Sequence, residues 1–239
     1  MKLLDLTLPT AEENIALDEA LLDAAELSGK PAEMLRLWEA PTPLVVVGRS
    51  SRVAEEVNLT RCEERDIPVL RRASGGAAIV AGPGCLMYAV ILSYETHPAL
   101  RLLDQAHRFV LGSITSSLAS FLPGVHHLGI SDLALEGRKF SGNALRCKQQ
   151  HLLYHGTLLY DFDLPLIGDL LATAPRQPEY RAGRDHRDFV TNLPISQAEL
   201  RERVVAAFSA SEQETCWPQV ITSELVARRY SRREWNHER

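Results

Sequence analysis

The sequence lacks the features that direct a chain into or across a membrane. Its first 22 residues include five acidic side chains, Asp5, Glu12, Glu13, Asp18 and Glu19, where a signal peptide would have a basic start and an apolar run. No apolar stretch reaches the roughly 20 residues that span a bilayer. We therefore predict a cytoplasmic protein without a membrane partner.

Cysteine is scarce and basic charge is not in excess. The four cysteines, Cys62, Cys85, Cys147 and Cys216, lie far apart without the paired spacing of zinc sites, so reduced thiols are predicted. A formal net charge of −5 argues against nucleic-acid binding, because phosphate contacts need a basic surface. The arginine-rich stretch 228–233 is interpreted as a solvated terminal helix.

The order of the predicted elements favours the α+β class. Helical periodicity covers residues 12–27, with Thr10 as N-cap, and residues 106–121, 166–172 and 197–208. Predicted strands cover residues 34–38, 44–47, 67–70, 86–94, 131–135, 139–147 and 152–162. Strands follow one another in hairpins and do not alternate with helices, which predicts a mostly antiparallel sheet flanked by helices. No repeat or linker divides the chain, so residues 1–239 are predicted to form one domain.

Arginines and small residues concentrate between two predicted strands. Residues 71–78 read Arg-Arg-Ala-Ser-Gly-Gly-Ala-Ala. Glycines let backbone N–H groups approach a phosphate or carboxylate closely, and an adjacent arginine supplies a bidentate cation. A tight turn that needs positive φ explains the glycines equally well. The turn at Gly82-Pro83-Gly84 predicts that the strand after this loop forms a hairpin with residues 86–94.

Lys139 follows a tight turn at the start of a predicted strand. Strict alternation would place Lys139, Ser141 and Asn143 on one face, with Asp132 of the preceding strand near them if the hairpin register is suitable. A polar site would then form there. The alternative is a solvated lysine on an exposed hairpin.

His155 and Gly156 interrupt an otherwise apolar strand. A glycine within a strand marks either the close approach of a ligand or backbone, or a bulge. We interpret His155 as a hydrogen-bonded structural histidine, because the sequence offers it no evident triad partner.

These motifs, in their order and spacing along nearly the whole chain, resemble the lipoate–protein ligase family, within the wider group of biotin and lipoate ligases and octanoyltransferases. The matching segments are residues 14–22, 35–38, 47–49, 71–76, 131–133, 137–142, 155–159 and 190–193. The resemblance implies an antiparallel sheet flanked by helices. It also implies that the enzyme activates lipoate or octanoate with ATP and Mg²⁺.

The resemblance also assigns roles to residues. The lysine matching Lys139 contacts the acyl carbonyl and the α-phosphate, Arg72 and its loop hold the acyl chain and nucleotide, and Asp132 lies near the nucleotide and its metal. The predicted binding residues are Arg72, Ser74, Gly75, Gly76, Ala77, Ala78, Ile79, Val80, Asp132, Lys139, Ser141, Gly142, His155 and Thr157, with Lys139 also catalytic. The acyl group of lipoyl-AMP then passes to the lysine of a lipoyl carrier domain, such as that of a 2-oxoacid dehydrogenase E2 or the glycine cleavage H protein.

Three positions depart from the family pattern. Ala77 replaces a third glycine, Ala81-Gly82 replaces a His-Asp pair, and Cys85 stands where an asparagine is usual. The accessory C-terminal domain of many such ligases is predicted to be absent. Activation could then require a separately encoded partner, or the protein could perform transfer alone.

A cysteine-dependent octanoyl or lipoyl transferase, which needs no ATP, is the nearest alternative. Strict alternation would place Cys147 on the same face of the predicted strand as Lys139. Eight extended residues would separate the two by about 26 Å, too far for both to act on one carbonyl. Cysteine-dependent relatives look different in two regions, residues 124–130 and residues 164–190, and this chain has no cysteine in either. A biotin ligase is disfavoured because its glycine- and arginine-rich loop with a following tryptophan is missing. A non-catalytic binding module is disfavoured by the presence of both Arg72 and Lys139.

Overall fold

A computed structural model describes residues 1–172 and 177–237. The strands are β1 Lys2–Asp5, β2 Met34–Trp38, β3 Leu44–Val47, β4 Val69–Arg71, β5 Ile79–Ala81, β6 Cys85–Ser93, β7 Val125–Leu128, β8 Asp132–Leu135, β9 Arg138–Cys147, β10 His151–Leu159 and β11 Glu212–Gln213. The helices are α1 Ala11–Ser28, α2 Val53–Glu56, α3 Leu59–Glu64, α4 Leu103–Ala119, α5 Leu164–Leu170, α6 His186–Phe189, α7 Gln197–Ala207, α8 Gln219–Leu225 and α9 Arg233–His237. Short 3-10 turns form at Pro98–Arg101 and Glu179–Arg181, and a π-helical turn forms at Val226–Tyr230.

The strands form one large and one small sheet. The large sheet has the order β11-β1-β2-β6-β10-β9-β8-β7, in which every neighbour from β2 to β7 is antiparallel and β1 pairs in parallel with both β2 and β11. The small sheet has the order β4-β3-β5. The α+β class with a mostly antiparallel sheet is therefore confirmed.

The predicted hairpin between the strand after the glycine loop and residues 86–94 is wrong. β5 pairs with β3 in the small sheet, whereas β6 lies in the centre of the large sheet between β2 and β10. All nine residues of β6 are buried, so both of its faces must be covered by other layers. The turn at residues 82–84 thus carries the chain from one sheet to the other.

Two apolar cores lie on opposite faces of the large sheet, because side chains alternate along its strands. The first contains residues of α1 and the small sheet with Leu153 and Leu159 of β10. The second contains residues of α4 and α7 with Leu152, Tyr154 and Leu158. A fully buried Leu or Val stabilises the fold by about 1.5–3 kcal/mol. The first face of β9 and β10 also carries the polar residues described below.

Helix α1 begins at the predicted cap. The Thr10 hydroxyl accepts from the backbone N–H of Glu13 at 3.2 Å, and the Glu13 carboxylate accepts from the Thr10 N–H at 3.1 Å. Further along, Asn14, Asp18 and Glu19 point inward and are almost completely buried. Buried polar groups need partners. Those partners lie on the large sheet and in the C-terminal segment.

Strand β9 contains a bulge that sets the position of Lys139. Lys139 pairs with Ala134 while Ser141 pairs with Leu133, which leaves Phe140 as an extra residue. Phe140 is fully buried in the second core, and its burial compensates for the interrupted ladder. The bulge reverses the side-chain parity of all residues after it.

Within the described ranges, no helix combines the length and the apolar character needed to cross a lipid bilayer.

Candidate functional site

The glycine loop, residues 72–78, is held by hydrogen bonds to its carbonyl groups. The buried Arg72 guanidinium donates to the carbonyls of Gly75 and Ala77, at 2.5 and 3.0 Å, and to Val46 at 3.1 Å. The Gly76 carbonyl accepts from the Ser51 hydroxyl at 3.1 Å. Burial lowers the pKa of Arg72 to about 10, but the group stays charged at neutral pH. Its cation therefore stabilises the loop and is not free for direct ligand binding.

Three consecutive amide groups in the middle of the same loop make no hydrogen bond within the described residues. Among the described residues, no acceptor lies within hydrogen-bond range of the N–H groups of Gly75, Gly76 and Ala77. All three residues are exposed, and Gly76 has a φ of +92°, which favours glycine. Consecutive amides that face solvent form an anion-binding concavity.

The far end of the loop is fixed by helix α2. The Ala78 N–H donates to the carboxylate of Glu56 at 2.6 Å. Ile79 is half-buried at the start of β5, and Val80 is buried where it pairs with Val45. The side chain of Val80 therefore belongs to the apolar core, although the sequence placed it among the binding residues.

Lys139 forms a second polar group at the same face of the sheet. Its ammonium lies 2.7 Å from Oδ1 of Asp132, as the sequence expected for a suitable hairpin register. The hydroxyl of Tyr180 donates to Oδ2 of Asp132 at 2.9 Å. Burial, followed by the Asp132 charge, raises the pKa of Tyr180 well above its usual value, so its proton stays in place. Tyr180 was not anticipated, because it lies 48 residues away along the chain.

The glycine loop and the Lys139 ammonium lie over neighbouring positions on one face of β9. A Cβ atom on Gly142 would lie 3.0 Å from Nζ of Lys139, and one on Gly76 would lie 3.8 Å from Cβ of Ala144. Residues 142 and 144 of an extended strand are about 7 Å apart. A carboxyl or phosphate group bound over residues 142–144 would therefore lie near both the free amides and the ammonium. A side chain at Gly142 would force the lysine ammonium to shift by a few tenths of an ångström.

The prediction that Lys139, Ser141 and Asn143 share a face is wrong. Because of the bulge, Lys139 lies on the face of Asp132 and Gly142, while Ser141 and Asn143 point to the opposite face. There Asn143 accepts a hydrogen bond from the hydroxyl of Tyr88 and donates to Ser141. The buried Ser141 side chain therefore cannot contact a ligand beside Lys139. Cys147, which the sequence placed on the face of Lys139, also points to the opposite face.

A chain of hydrogen bonds joins the loop to the sheet and to α1. Nε2 of His155 lies 2.6 Å from the Ser74 hydroxyl, and Nδ1 lies 3.1 Å from Asp18. Asp18 also pairs with the buried Arg36 at 2.6 Å. Burial alone would raise the pKa of Asp18, but Arg36 and His155 lower it below its usual value. The triad partner that the sequence did not reveal is thus Asp18.

Thr157 lies between these groups. Its hydroxyl accepts from the Gly142 N–H at 3.3 Å, and the register places both residues on the face of Lys139. Thr157 and Gly142 form the surface of the sheet between Lys139 and His155. The structure thus brings together most of the predicted residues and excludes the side chains of Val80 and Ser141.

The segment after residue 177 adds cations that the sequence did not identify. Arg181 is buried, and its Nη2 is one of the buried nitrogen atoms without a hydrogen-bond partner in the described chain. Burial, followed by the charge of Arg181, lowers the pKa of the neighbouring His186. The segment pairs with β9 through Thr191, whose N–H donates to the Lys139 carbonyl at 2.9 Å.

Metal-ligating side chains do not cluster in this region. Within residues 1–172 and 177–237, no group of three or more His, Cys, Asp or Glu side chains could hold a metal ion. Asp132 is a single carboxylate with both oxygens in hydrogen bonds. A magnesium ion here would therefore take most of its ligands from a bound phosphate and water.

The cysteines are distant from the site or unreactive. Cys85 is fully buried, which raises the pKa of its thiol to about 12. Cys62 is also buried, with its pKa raised by burial. Cys147 and Cys216 are exposed, but the first lies on the other face of the sheet and the second follows β11 at the far edge. The deprotonated, nucleophilic form of the thiol is therefore rarely populated at Cys62 and Cys85.

Comparison with known families gives one match. Residues 10–209 match the family described as lipoyl protein ligase A/B catalytic domain. The match includes α1, the glycine loop, Lys139 and the segment up to β11. It ends before α8, so the C-terminal helices lie outside it.

Two kinds of relative are similar to the chain. A probable lipoate-protein ligase A of Mycoplasma pneumoniae is 32% identical over 159 residues, which cover 66% of this chain and 45% of that protein. The octanoyltransferase LipM of Geobacillus kaustophilus is 25% identical over 270 aligned positions, which cover 95% of this chain and 94% of that protein. The chain therefore spans about half the length of the ligase relative and nearly all of the transferase.

The fold is shared with a solved structure. The bipartite lipoate protein ligase of Thermoplasma acidophilum, described together with its E2 lipoyl domain, superposes with a TM-score of 0.82 at 22% identity. The alignment covers 99% of this chain and 95% of that one.

Proposed function

Since the chain belongs to the lipoyl protein ligase A/B catalytic-domain family, we propose that it activates lipoate with ATP to lipoyl-AMP and transfers the lipoyl group to a lysine of a carrier domain. The observation that carries this proposal is that the free amides of the glycine loop and the ammonium of Lys139 lie over neighbouring positions, Ala144 and Gly142, on one face of β9.

The loop amides and the Lys139 ammonium together suit adenylation for an electrostatic reason. A carboxylate that attacks an α-phosphate brings two anions together, and the transition state places further charge on the phosphate oxygens. The amides of Gly75 to Ala77 would hold one anion and Lys139 the other, in a site built before the substrates arrive. Such fixed donors stabilise developing charge without reorganisation.

Asp132 and Tyr180 hold Lys139 in position for this task. The carboxylate pairs with the ammonium and holds it over Gly142. Magnesium would enter with the triphosphate, beside Asp132, and would neutralise phosphate charge. Arg181 would add a second cation, since its Nη2 lacks a partner in the described chain.

The acceptor is proposed to be a lysine of a lipoyl carrier domain of E2 or H-protein type. The similar Thermoplasma ligase is bipartite and is described with its E2 lipoyl domain. A separately encoded accessory protein would then complete the activation step. The enzyme is proposed to act in the cytoplasm.

Octanoyl transfer without ATP is the second candidate, because the chain spans nearly the whole length of the LipM relative. Transfer through a thioester needs a thiolate beside the site. Cys85 is the cysteine nearest to Lys139 in the sheet, two strands away or about 10 Å, but its pKa of about 12 keeps it protonated. The positions of the cysteines therefore favour the ligase.

We predict that a variant with all four cysteines replaced by alanine or serine keeps acyl transfer within about threefold of the wild type. The reason is that no thiolate takes part in the reaction. Single-turnover transfer to a carrier domain measures this, with circular dichroism as the control for folding. A folded variant with less than about 1% of the wild-type rate would instead support a thioester intermediate.

Trapping of the activated acyl group tests the proposed function. The protein, alone and with candidate accessory proteins, is incubated with lipoate, Mg²⁺, ATP and hydroxylamine. We expect lipoyl hydroxamate that depends on ATP and is accompanied by pyrophosphate. If no accessory protein gives hydroxamate, the chain is not a ligase.

A further inference from the structure

The proposed adenylation uses the loop amides and Lys139, and it leaves the hydrogen-bonded chain Ser74–His155–Asp18 without a role. We propose that it is a proton relay that removes a proton from the carrier lysine during acyl transfer. The inference rests on the proposed function, because it concerns its second half-reaction. That half-reaction has so far been assigned no base.

The chemistry of transfer requires a base. A lysine amine has an ordinary pKa of about 10.4, so it is mostly protonated at neutral pH. When the amine has attacked the acyl carbonyl, its nitrogen must lose a further proton to become an amide. A positioned general base contributes roughly 10²–10⁴-fold to such a step.

The charge of Asp18 determines which group donates and which accepts in the hydrogen bonds from Asp18 to His155 and Ser74. Asp18 is ionised, since its pKa is lowered, and it accepts the hydrogen of Nδ1 of His155. Nε2 is then unprotonated and accepts from the Ser74 hydroxyl at 2.6 Å. The Ser74 oxygen also accepts from Nε of Arg72 at 3.1 Å. One lone pair of the serine oxygen remains for an incoming amine.

Each proton in the relay has a place to go. The amine nitrogen gives a proton to the Ser74 oxygen as the Ser74 proton moves to Nε2 of His155, and Asp18 stabilises the imidazolium. The bond between the amine nitrogen and the acyl carbon forms, and the bond to the AMP oxygen breaks. AMP leaves with that electron pair, and His155 later returns its proton to water.

The relay is within reach of the reacting carbonyl. His155 pairs with Ala144, and Gly142 lies one side-chain row away beneath the ammonium of Lys139. Residues two apart along a strand are about 7 Å apart, and neighbouring strands are about 4.8 Å apart. Gly142, which lies beneath the lysine ammonium, is therefore roughly 8 Å from His155. A carbonyl bound between them would face the lysine on one side and the relay on the other. Ser74 itself is only 2% exposed, so the acceptor amine would have to reach it past the exposed Gly75 and Gly76.

A purely structural role would predict a different result. If the chain only fixes the loop, its loss should impair adenylation and transfer alike, because both use the loop. His155→Gln keeps a polar side chain of similar reach but cannot accept the proton. His107→Gln is the matched control: His107 bonds the Tyr154 hydroxyl at 2.9 Å on the opposite face of the same strand.

The experiment measures both half-reactions. Hydroxamate formation reports adenylation, and single-turnover transfer from supplied lipoyl-AMP reports the second step without the enzyme's own activation. For His155→Gln we expect transfer slowed about 100-fold and adenylation slowed far less. The control should leave both rates unchanged.

The pH profile of transfer provides a readout that packing does not affect. The charged groups on the elements packed around His155 include Asp18 and Glu19 of α1, Arg36 of β2, Arg72 of the loop, and Arg146 and Lys139 of β9. In the wild type the pH dependence of transfer should include a contribution from the relay in addition to that of the carrier lysine. In His155→Gln only the contribution of the carrier lysine should remain.

Several results would overturn the relay. Equal losses in both half-reactions would make His155 structural, and unimpaired transfer would remove it from the reaction. An acyl group found on Ser74 by intact mass, when the carrier is withheld, would make the serine a nucleophile instead. A wild type that forms no adenylate but transfers supplied lipoyl-AMP would remove the ligase function alone, and the relay would still be tested by the variant.

Discussion

Lys139→Ala should abolish lipoyl transfer, with a loss of at least about 100- to 1000-fold, even when lipoyl-AMP is supplied. The ammonium is the cation that lies over β9 beside the glycine loop, and removal of one such donor costs about 2.7–4 kcal/mol of transition-state stabilisation. Asp132 would keep its hydrogen bond from Tyr180, so the fold should survive. Single-turnover transfer to a carrier domain measures the effect.

Lys148→Ala is the matched control. Lys148 pairs with Asp23 at 2.6 Å and is exposed to nearly the same extent as Lys139, 27% against 28% of the side chain. It lies beyond the other end of β9, away from the loop. The control should transfer normally. If Lys139→Ala also transfers at the wild-type rate, the site has been assigned to the wrong place.

Arg72→Met should have the second largest effect, because it removes the scaffold of the glycine loop. The carbonyls of Gly75, Ala77 and the buried Val46 would lose a charged donor, and a buried carbonyl without a partner costs about 1–3 kcal/mol. We expect a loss of unfolding free energy of about 3 kcal/mol and a loss of adenylation of at least about 100-fold. Urea denaturation and hydroxamate formation measure the two quantities.

The control for this substitution is Arg61→Met. Arg61 also makes two side-chain ion pairs, with Asp169 and Glu64, but it lies on the surface and far from the loop. Exposed ion pairs contribute little to stability. Arg61→Met should leave both quantities nearly unchanged. If Arg72→Met keeps full adenylation in a folded protein, the loop does not depend on its arginine.

The local elements were predictable from the sequence, because local patterns determine them. The cap at Thr10 needs only residues 10–13, and the periodicity of the following helix needs no distant partner. The ion pair between Asp132 and Lys139 was predictable because a hairpin joins them. These features depend on residues that are close together in the chain.

Features that depend on distant partners were not predictable. His155 and Asp18 are 137 residues apart, so neither position reveals the other. Likewise, the predicted solvated arginine-rich helix is wrong at Arg229, which pairs with the buried Glu19 of α1. The buried polar residues of α1 were the available signal, since such residues require partners.

The bulge at Phe140 escaped prediction for another reason. Alternation assigns faces only while the ladder is unbroken, and one extra residue reverses every face after it. The sequence showed an apolar residue at position 140, but not that it would be buried on the second face. This single residue separates Lys139 from Ser141 and Asn143.

The central claim is that the chain drives acyl transfer with ATP, and its most direct test is the ATP dependence of transfer to an apo carrier domain. Free lipoate, Mg²⁺ and the carrier are supplied with and without ATP, together with any accessory protein that supports hydroxamate formation. We predict modification of the carrier lysine only with ATP, with one AMP released for each lipoyl group attached. Transfer from an acyl thioester without ATP, together with no transfer from free lipoate with ATP, would contradict the account.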